Sequence, residues 1–131
     1  LPVLPRKKPP REIPMAVGLV TAGEQGLVVR RQQALLKGLY VFLLLEGEDG
    51  SAALKKHLER LGFSNPRVTE AGTARHIFTH RVWHMRICKA EVPEALPVPG
   101  GEWVHMAALH TLPFPTAMAA ALKVLAEQAH C

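Results

Sequence analysis

Hydrophobic positions fall into short blocks whose spacing changes along the chain. Met15 to Val20 and Leu27 to Arg30 are short apolar runs rich in valine. Between them Ala22-Gly23-Glu24-Gln25-Gly26 carries two glycines, for which positive φ costs little, so the two runs are expected to form a β-hairpin. Leu35 to Leu45 is too apolar to show a period. Gly38 and the strand formers Tyr40, Val41 and Phe42 make it irregular chain leading into a buried strand. After the Glu46 to Gly50 turn, Leu54, Leu58 and Leu61 recur at helical spacing, with Ser51 as the expected cap and Gly62 as the expected stop. Val68 to Ala74 and Val82 to Ala90 read as strands joined through Arg75 to Arg81. In the second, Trp83, Met85 and Ile87 alternate with His84, Arg86 and Cys88, which predicts one apolar face with the histidine and the arginine pointing the other way. Pro93, Pro97, Pro99, Gly100 and Gly101 mark a loop before a short element at Glu102-Trp103-Val104. Thr116 is expected to cap a closing helix with Met118, Leu122 and Leu125 on one face. This order of elements predicts an α+β chain, an αβα sandwich with a mixed sheet and two main helices.

A chain of 131 residues fits one domain with a tail. With 48% hydrophobic and 21% charged residues it is globular in composition, and at this length it can bury roughly two-thirds of its unfolded surface. Cys88 and Cys131 are the only cysteines. They exclude a disulfide scaffold, a four-cysteine zinc site and a four-cysteine iron-sulfur cluster within this chain, and they fit a reducing cytosol. Long uncharged runs such as Met106 to Leu122 are broken by His110, Thr111, Pro113, Pro115 and Thr116, so no membrane span is expected.

The charge changes the picture at the N-terminal end. Arg6, Lys7, Lys8 and Arg11 lie among Pro2, Pro5, Pro9 and Pro10, ahead of the apolar stretch Ile13 to Ala22. This looks superficially like a secretory signal, but prolines thread the basic part and Gly18 interrupts an apolar part that runs on into a turn and a second strand. The expected division is a basic, proline-rich connector over 1–13 and a folded domain over 14–131. Leu1 in place of methionine is expected to mark a processed chain or a piece of a longer one. A formal charge of +5 favours an anionic partner, and the connector would set its cations beside any phosphate backbone the domain binds. A solubilising tail is the competing reading.

Three candidate chemistries arise. His76, His80 and His84 recur every fourth residue, which suggests a metal. In strand-like surroundings residues four apart are separated by about 13 Å, too far for two nitrogens to meet one ion, so no metal site is expected. A Ser-His-Asp triad has little to draw on, since Asp49 is the sole aspartate, Ser51 and Ser64 are the sole serines, and none lies in a nucleophile elbow. Gly38 to Phe63 has the layout of a Nudix box, the strand-loop-helix that binds divalent metal for diphosphate hydrolysis. Gly62-Phe63 fits its end, but Lys56 and Arg60 stand where the pattern wants carboxylates, leaving Glu59. A hard cation needs several oxygen ligands, and two positive side chains in their place repel it.

Taken in order, Leu35-Leu36-Lys37-Gly38-Leu39-Tyr40-Val41-Phe42, His76 to Met85, Glu102-Trp103 and Leu112-Pro113-Phe114-Pro115-Thr116 resemble the C-terminal Nudix-like domain of A/G-specific adenine DNA glycosylases, the MutY family. The resemblance runs nearly end to end, and the basic prolines resemble that family's interdomain connector. It implies a Nudix-like αβα sandwich and a domain that recognises 8-oxoguanine in double-stranded DNA, opposite the adenine the full enzyme removes in base excision repair. The family reads the oxidised base through a Phe-Ser-His loop, for which Phe78-Thr79-His80 stands here, threonine keeping the hydroxyl. Arg6, Lys7, Lys8 and Arg11 would then meet DNA phosphates.

By the same resemblance the chain alone is no enzyme and carries no catalytic residue, metal or cofactor. The excision chemistry and an iron-sulfur cluster belong to an absent N-terminal catalytic domain, its expected partner. A monomer without membrane attachment, in a bacterial cytoplasm at the nucleoid, completes the expectation. The sequence departs from the family at Leu43, where many members place proline after the phenylalanine. Trp83 and Trp103 have apolar or alternating neighbours and are read as core anchors. Two other readings stay open: a Nudix hydrolase of nucleoside diphosphate derivatives, and a non-catalytic Nudix-shaped adaptor for repair or replication proteins.

Overall fold

The computed structural model describes residues 9–48 and 50–128. The chain runs β1 (Arg11–Ala22), β2 (Gln25–Arg30), β3 (Tyr40–Val41), β4 (Leu43–Glu46), α1 (Ser51–Arg60), β5 (Arg67–Ile77), β6 (Arg81–Glu91), β7 (Gly101–His105) and α2 (Ala119–Gln128), with short 3-10 helices at Met106–Thr111 and Thr116–Met118. All seven strands form one mixed sheet in the order β3-β2-β1-β6-β5, with β4 paired to β1 and β7 to β2. Only the central β1 and β6 run parallel, in register from Arg11↔Arg81 to Thr21↔Glu91.

Each face of the sheet is covered by one helix, which makes the αβα sandwich. On one face Ile13, Met15, Val17, Trp83, Met85 and Ile87 pack with Met118, Ala121 and Leu125 of the C-terminal segment. On the other, Val20, Leu27, Cys88 and Ala90 pack with Leu54 and Leu58 of α1 and with Phe63. Met15 to Val20, apart from Gly18, is therefore apolar at every position because it is buried from both sides, the pattern of a central strand rather than of a half-exposed one. The expected β1–β2 hairpin exists, but its pairing is confined to Thr21↔Gly26 and Ala22↔Gln25. Farther along, the same edge of β1 pairs with β4, from Met15↔Glu46 to Gly18↔Leu43.

Several local expectations are corrected. The buried strand after Tyr40 is split at Phe42, whose ring leaves the ladder to stack on Phe114 at 5.1 Å, so that β3 serves β2 and β4 serves β1. Ser51 does not cap α1. Gly50 holds that position at φ +100, and no side chain caps the helix. Gly62 does end it, at φ +103, with the Phe63 amide donating to the Leu58 carbonyl in a C-terminal reversal. Thr116 begins a 3-10 turn capped by Pro115, not the α-helix itself. Cys88 shares the face of His84 and Arg86 but is fully buried, because α1 covers that end of it. Finally, β1 starts at Arg11 and buries Ile13, so the sheet takes in the last three residues of the expected connector. Among the described residues no helix is long and apolar enough to cross a membrane.

Candidate nucleic-acid interface at the tip of the β5–β6 hairpin

β5 and β6 pair antiparallel to Ile77↔Val82, so Phe78-Thr79-His80 is the turn between them. Two backbone bonds fix it. The Phe78 amide donates to the Arg81 carbonyl at 2.7 Å, closing the hairpin, and the Arg11 amide donates to the His80 carbonyl at 3.0 Å, tying the turn to the first residue of β1. Phe78 is half-buried and packs edge-on against Trp83 at 4.8 Å and His76 at 4.7 Å. Trp83 is 1% exposed, so Phe78 is anchored to a fixed core side chain. Thr79 and His80 are exposed, as is Ile77, 62% of whose surface is open to solvent. The turn thus presents one hydroxyl and one imidazole on a base that the aromatic anchor holds still.

A buried arginine lies behind this anchor. Arg31, at the end of β2, is 8% exposed and is the one buried charged side chain among the described residues. Its guanidinium lies over the Trp83 ring at 5.4 Å, and its Nε donates to the Leu35 carbonyl at 3.1 Å. Burial holds its pKa below the usual arginine value, with Arg81 adding to that effect and Glu46 opposing it. Sequence reasoning missed Arg31. Nothing in its spacing marks it; only the basic residue immediately after an apolar strand hinted that a charge sits at the sheet's end.

The other candidates are distributed differently. Arg11 is exposed at the head of β1, while Arg6, Lys7 and Lys8 lie outside the described residues. The three histidines do not converge: His76 packs on Phe78, His80 is in the turn, and His84 is on the opposite face, its Nε2 at 3.2 Å from a Glu12 carboxylate oxygen. No group of three metal-ligating side chains is found among the described residues. Trp83 is a core anchor as expected, and Trp103 packs edge-on to Phe63 while donating its indole N–H to the Leu96 carbonyl at 2.6 Å.

In the region of the Nudix box, α1 carries Lys56, Glu59 and Arg60 exposed. Lys56 and Arg60 line a small hollow of about 90 Å³ together with His57 and Glu48. Burial lowers the His57 pKa, and the neighbouring Arg60 lowers it further. Lys56 and Arg60 thus stand where the hydrolase pattern gathers carboxylates.

Comparison with known proteins agrees with this fold. The C-terminal domain of mouse MUTYH, solved in complex with human PCNA, superposes with a TM-score of 0.70 at 22% identity, covering 91% of this chain and 90% of that one. The MutT family Nudix hydrolase of methicillin-resistant Staphylococcus aureus 252 gives 0.63 at 17% identity, over 90% and 98% of the two chains. The NUDIX domain of Shewanella oneidensis NrtR, solved with ADP ribose, gives 0.61 at 14% identity, over 97% and 94%. At these identities the likeness is one of fold. No curated protein matches the sequence. The family model for the NUDIX domain matches residues 16–124, which takes in every strand and both helices at least in part, and the chain therefore belongs to the NUDIX domain family.

Proposed function

We propose that this NUDIX domain is the 8-oxoguanine-reading part of an adenine DNA glycosylase, binding duplex DNA from the side opposite the adenine to be removed. One observation carries the reading: the Phe78-Thr79-His80 turn exposes a hydroxyl and an imidazole while Phe78 is clamped on Trp83. Oxidation at C8 of guanine changes N7 from an acceptor into an N–H donor and adds a carbonyl oxygen. The Thr79 hydroxyl can accept from that new donor, and the His80 imidazole can donate to an oxygen of the base or of a phosphate. Ile77, exposed beside the turn, offers an apolar contact to a base edge. Lys56 and Arg60 in the Nudix-box region weigh against diphosphate hydrolysis by this chain. In this reading the excision chemistry and its iron-sulfur cluster belong to a separate N-terminal domain, and the present domain raises lesion specificity by gripping the other strand.

The test is an NMR titration of the labelled chain with two short duplexes, one carrying 8-oxoguanine opposite adenine and one carrying guanine there. Lesion-dependent shifts centred on residues 78–80 are expected. Thr79→Val, which keeps shape and removes the hydroxyl, should cut the preference for the lesion by one hydrogen bond's worth, about 0.5–1.5 kcal/mol or up to about tenfold, with little change on the undamaged duplex. Equal binding of both duplexes by the unmodified chain, or magnesium-dependent release of phosphate from an oxidised nucleoside triphosphate, would overturn the proposal.

A further inference from the structure

The end of the sheet beside the turn gathers three arginines, Arg11, Arg31 and Arg81. Arg11 and Arg81 are register partners on adjacent parallel strands, so their Cα atoms lie side by side at about 4.8 Å and their side chains leave the same face. That face is the one bearing Ile13, Trp83 and the α2 helix, and it is also where Phe78 packs. Both arginines are exposed, and among the described residues neither has a carboxylate within ion-pair distance. The nearby Glu12 pairs with His84 on the opposite face. Arg31, whose guanidinium lies over the Trp83 ring, adds a third guanidinium behind them; burial disfavours its charge most, Glu46 favours it, and Arg81 opposes it more weakly than Glu46 supports it. Like charges set side by side cost stability.

We propose that Arg11 and Arg81, backed by the buried Arg31, form a phosphate clamp that grips one phosphodiester of the strand whose base meets the Phe78-Thr79-His80 turn. The assignment rests on the turn facing nucleic acid, but not on its telling an oxidised base from an ordinary one. Two guanidinium groups side by side can each present a planar fork of donors to phosphate oxygens. The anion would remove the repulsion between them. Because Arg11 also donates its amide to the His80 carbonyl, seating the phosphate would steady the turn that meets the base. The clamp supplies affinity without sequence or lesion preference, whereas the turn supplies preference.

The experiment measures affinity for the lesion duplex and the undamaged duplex between 50 and 200 mM salt, for the full chain, for the double variant Arg11→Gln/Arg81→Gln and for a control, Lys55→Gln/Lys56→Gln, that removes the same charge from exposed positions on α1. For loss of one neutralised phosphate the slope of log K against log salt should become shallower by about 0.9 in the arginine variant alone. Across that fourfold salt range the difference corresponds to about 3.5-fold in affinity. Both duplexes should weaken by the same factor, leaving the lesion preference intact. An unchanged slope, or an equal change in the lysine control, would overturn the clamp. Inorganic pyrophosphate serves as the competitor that separates the two sources of phosphate: if it binds the unmodified chain more tightly than either duplex does, and binding is lost in the arginine variant, the site takes free phosphates and the nucleic-acid assignment fails. A slope change without any lesion preference would keep the clamp and refute the reading of 8-oxoguanine. A lesion preference with no slope change would do the reverse, and absence of duplex binding would refute both.

Discussion

Gly18 lies where the central strand passes beneath α1, and the sequence gives it no turn to make. A Cβ placed there would stand 2.7 Å and 3.2 Å from the two terminal carbons of Leu54 and 3.5 Å from the Leu43 Cβ. Ordinary carbon contacts begin near 3.5 Å, so the shortest must open by about 0.8 Å. Leu54 has little room to yield, since it is 0% exposed and packed with Leu58 and Phe63 in the same cluster. Gly18→Ala therefore pushes α1 off the sheet, an overpacking cost of about 1–3 kcal/mol. Reduced freedom of the unfolded chain returns about 0.4–1 kcal/mol. The net expectation is a loss of about 1–2 kcal/mol, read in urea as a midpoint lowered by roughly 1 M with an unchanged slope. Leu54→Ala alone should cost about 2–5 kcal/mol by leaving a cavity. In the double variant the new methyl group occupies part of that cavity, so the combined loss should fall short of the sum by more than about 0.5 kcal/mol. Additive losses, or a Gly18→Ala protein as stable as the parent, would refute this account of how α1 is seated. Gly18 is seven positions from Arg11, roughly 23 Å along the strand, so DNA binding by the folded variant should be unaltered.

Two titrations test the local electrostatics. Burial and Arg60 lower the His57 pKa from its ordinary value of 6.5, so the unfolded chain takes up the proton first and stability present above that value declines as pH falls through 6.5 toward the folded pKa. Urea midpoints at pH 7.5 and pH 5.5 should differ less for His57→Gln than for the parent, and an equal or larger difference would contradict this. Tyr40 is the only tyrosine, and its hydrogen bond to Glu102, followed by desolvation and the charge of Glu102, raises its pKa above 10. Its phenol absorbance should titrate at lower pH in Glu102→Gln, since the neutral amide no longer opposes the phenolate.

What could be read in the sequence follows from local physics. The alternation of Trp83, Met85 and Ile87, the Leu54 and Leu58 spacing and the turn at Gly23 each depend on neighbours in the chain, and each is found in the fold. The Phe78-Thr79-His80 segment was recognisable only through its resemblance to the Phe-Ser-His loop of the MutY family, and the structure makes it the turn between β5 and β6. The expected caps at Ser51 and Thr116 failed for a local reason as well: Gly50 takes the cap conformation of α1, and a 3-10 turn capped by Pro115 precedes α2.

Other features needed the third dimension. Cys88 sits in the polar row of its strand but is buried because α1, distant in sequence, closes over that end of the face, whereas His84 on the same row stays open. Arg11 read as the last cation of a loose connector until its register with Arg81 made it the first residue of a central strand. Arg31 had no periodic signal at all, and only the approach of the Trp83 ring gave its charge a place. The sequence by itself determined which segments extend, which coil and where a hydroxyl and an imidazole can be shown. Tertiary structure alone decided which charges meet, because repulsion and burial depend on distance in space between residues that are far apart along the chain.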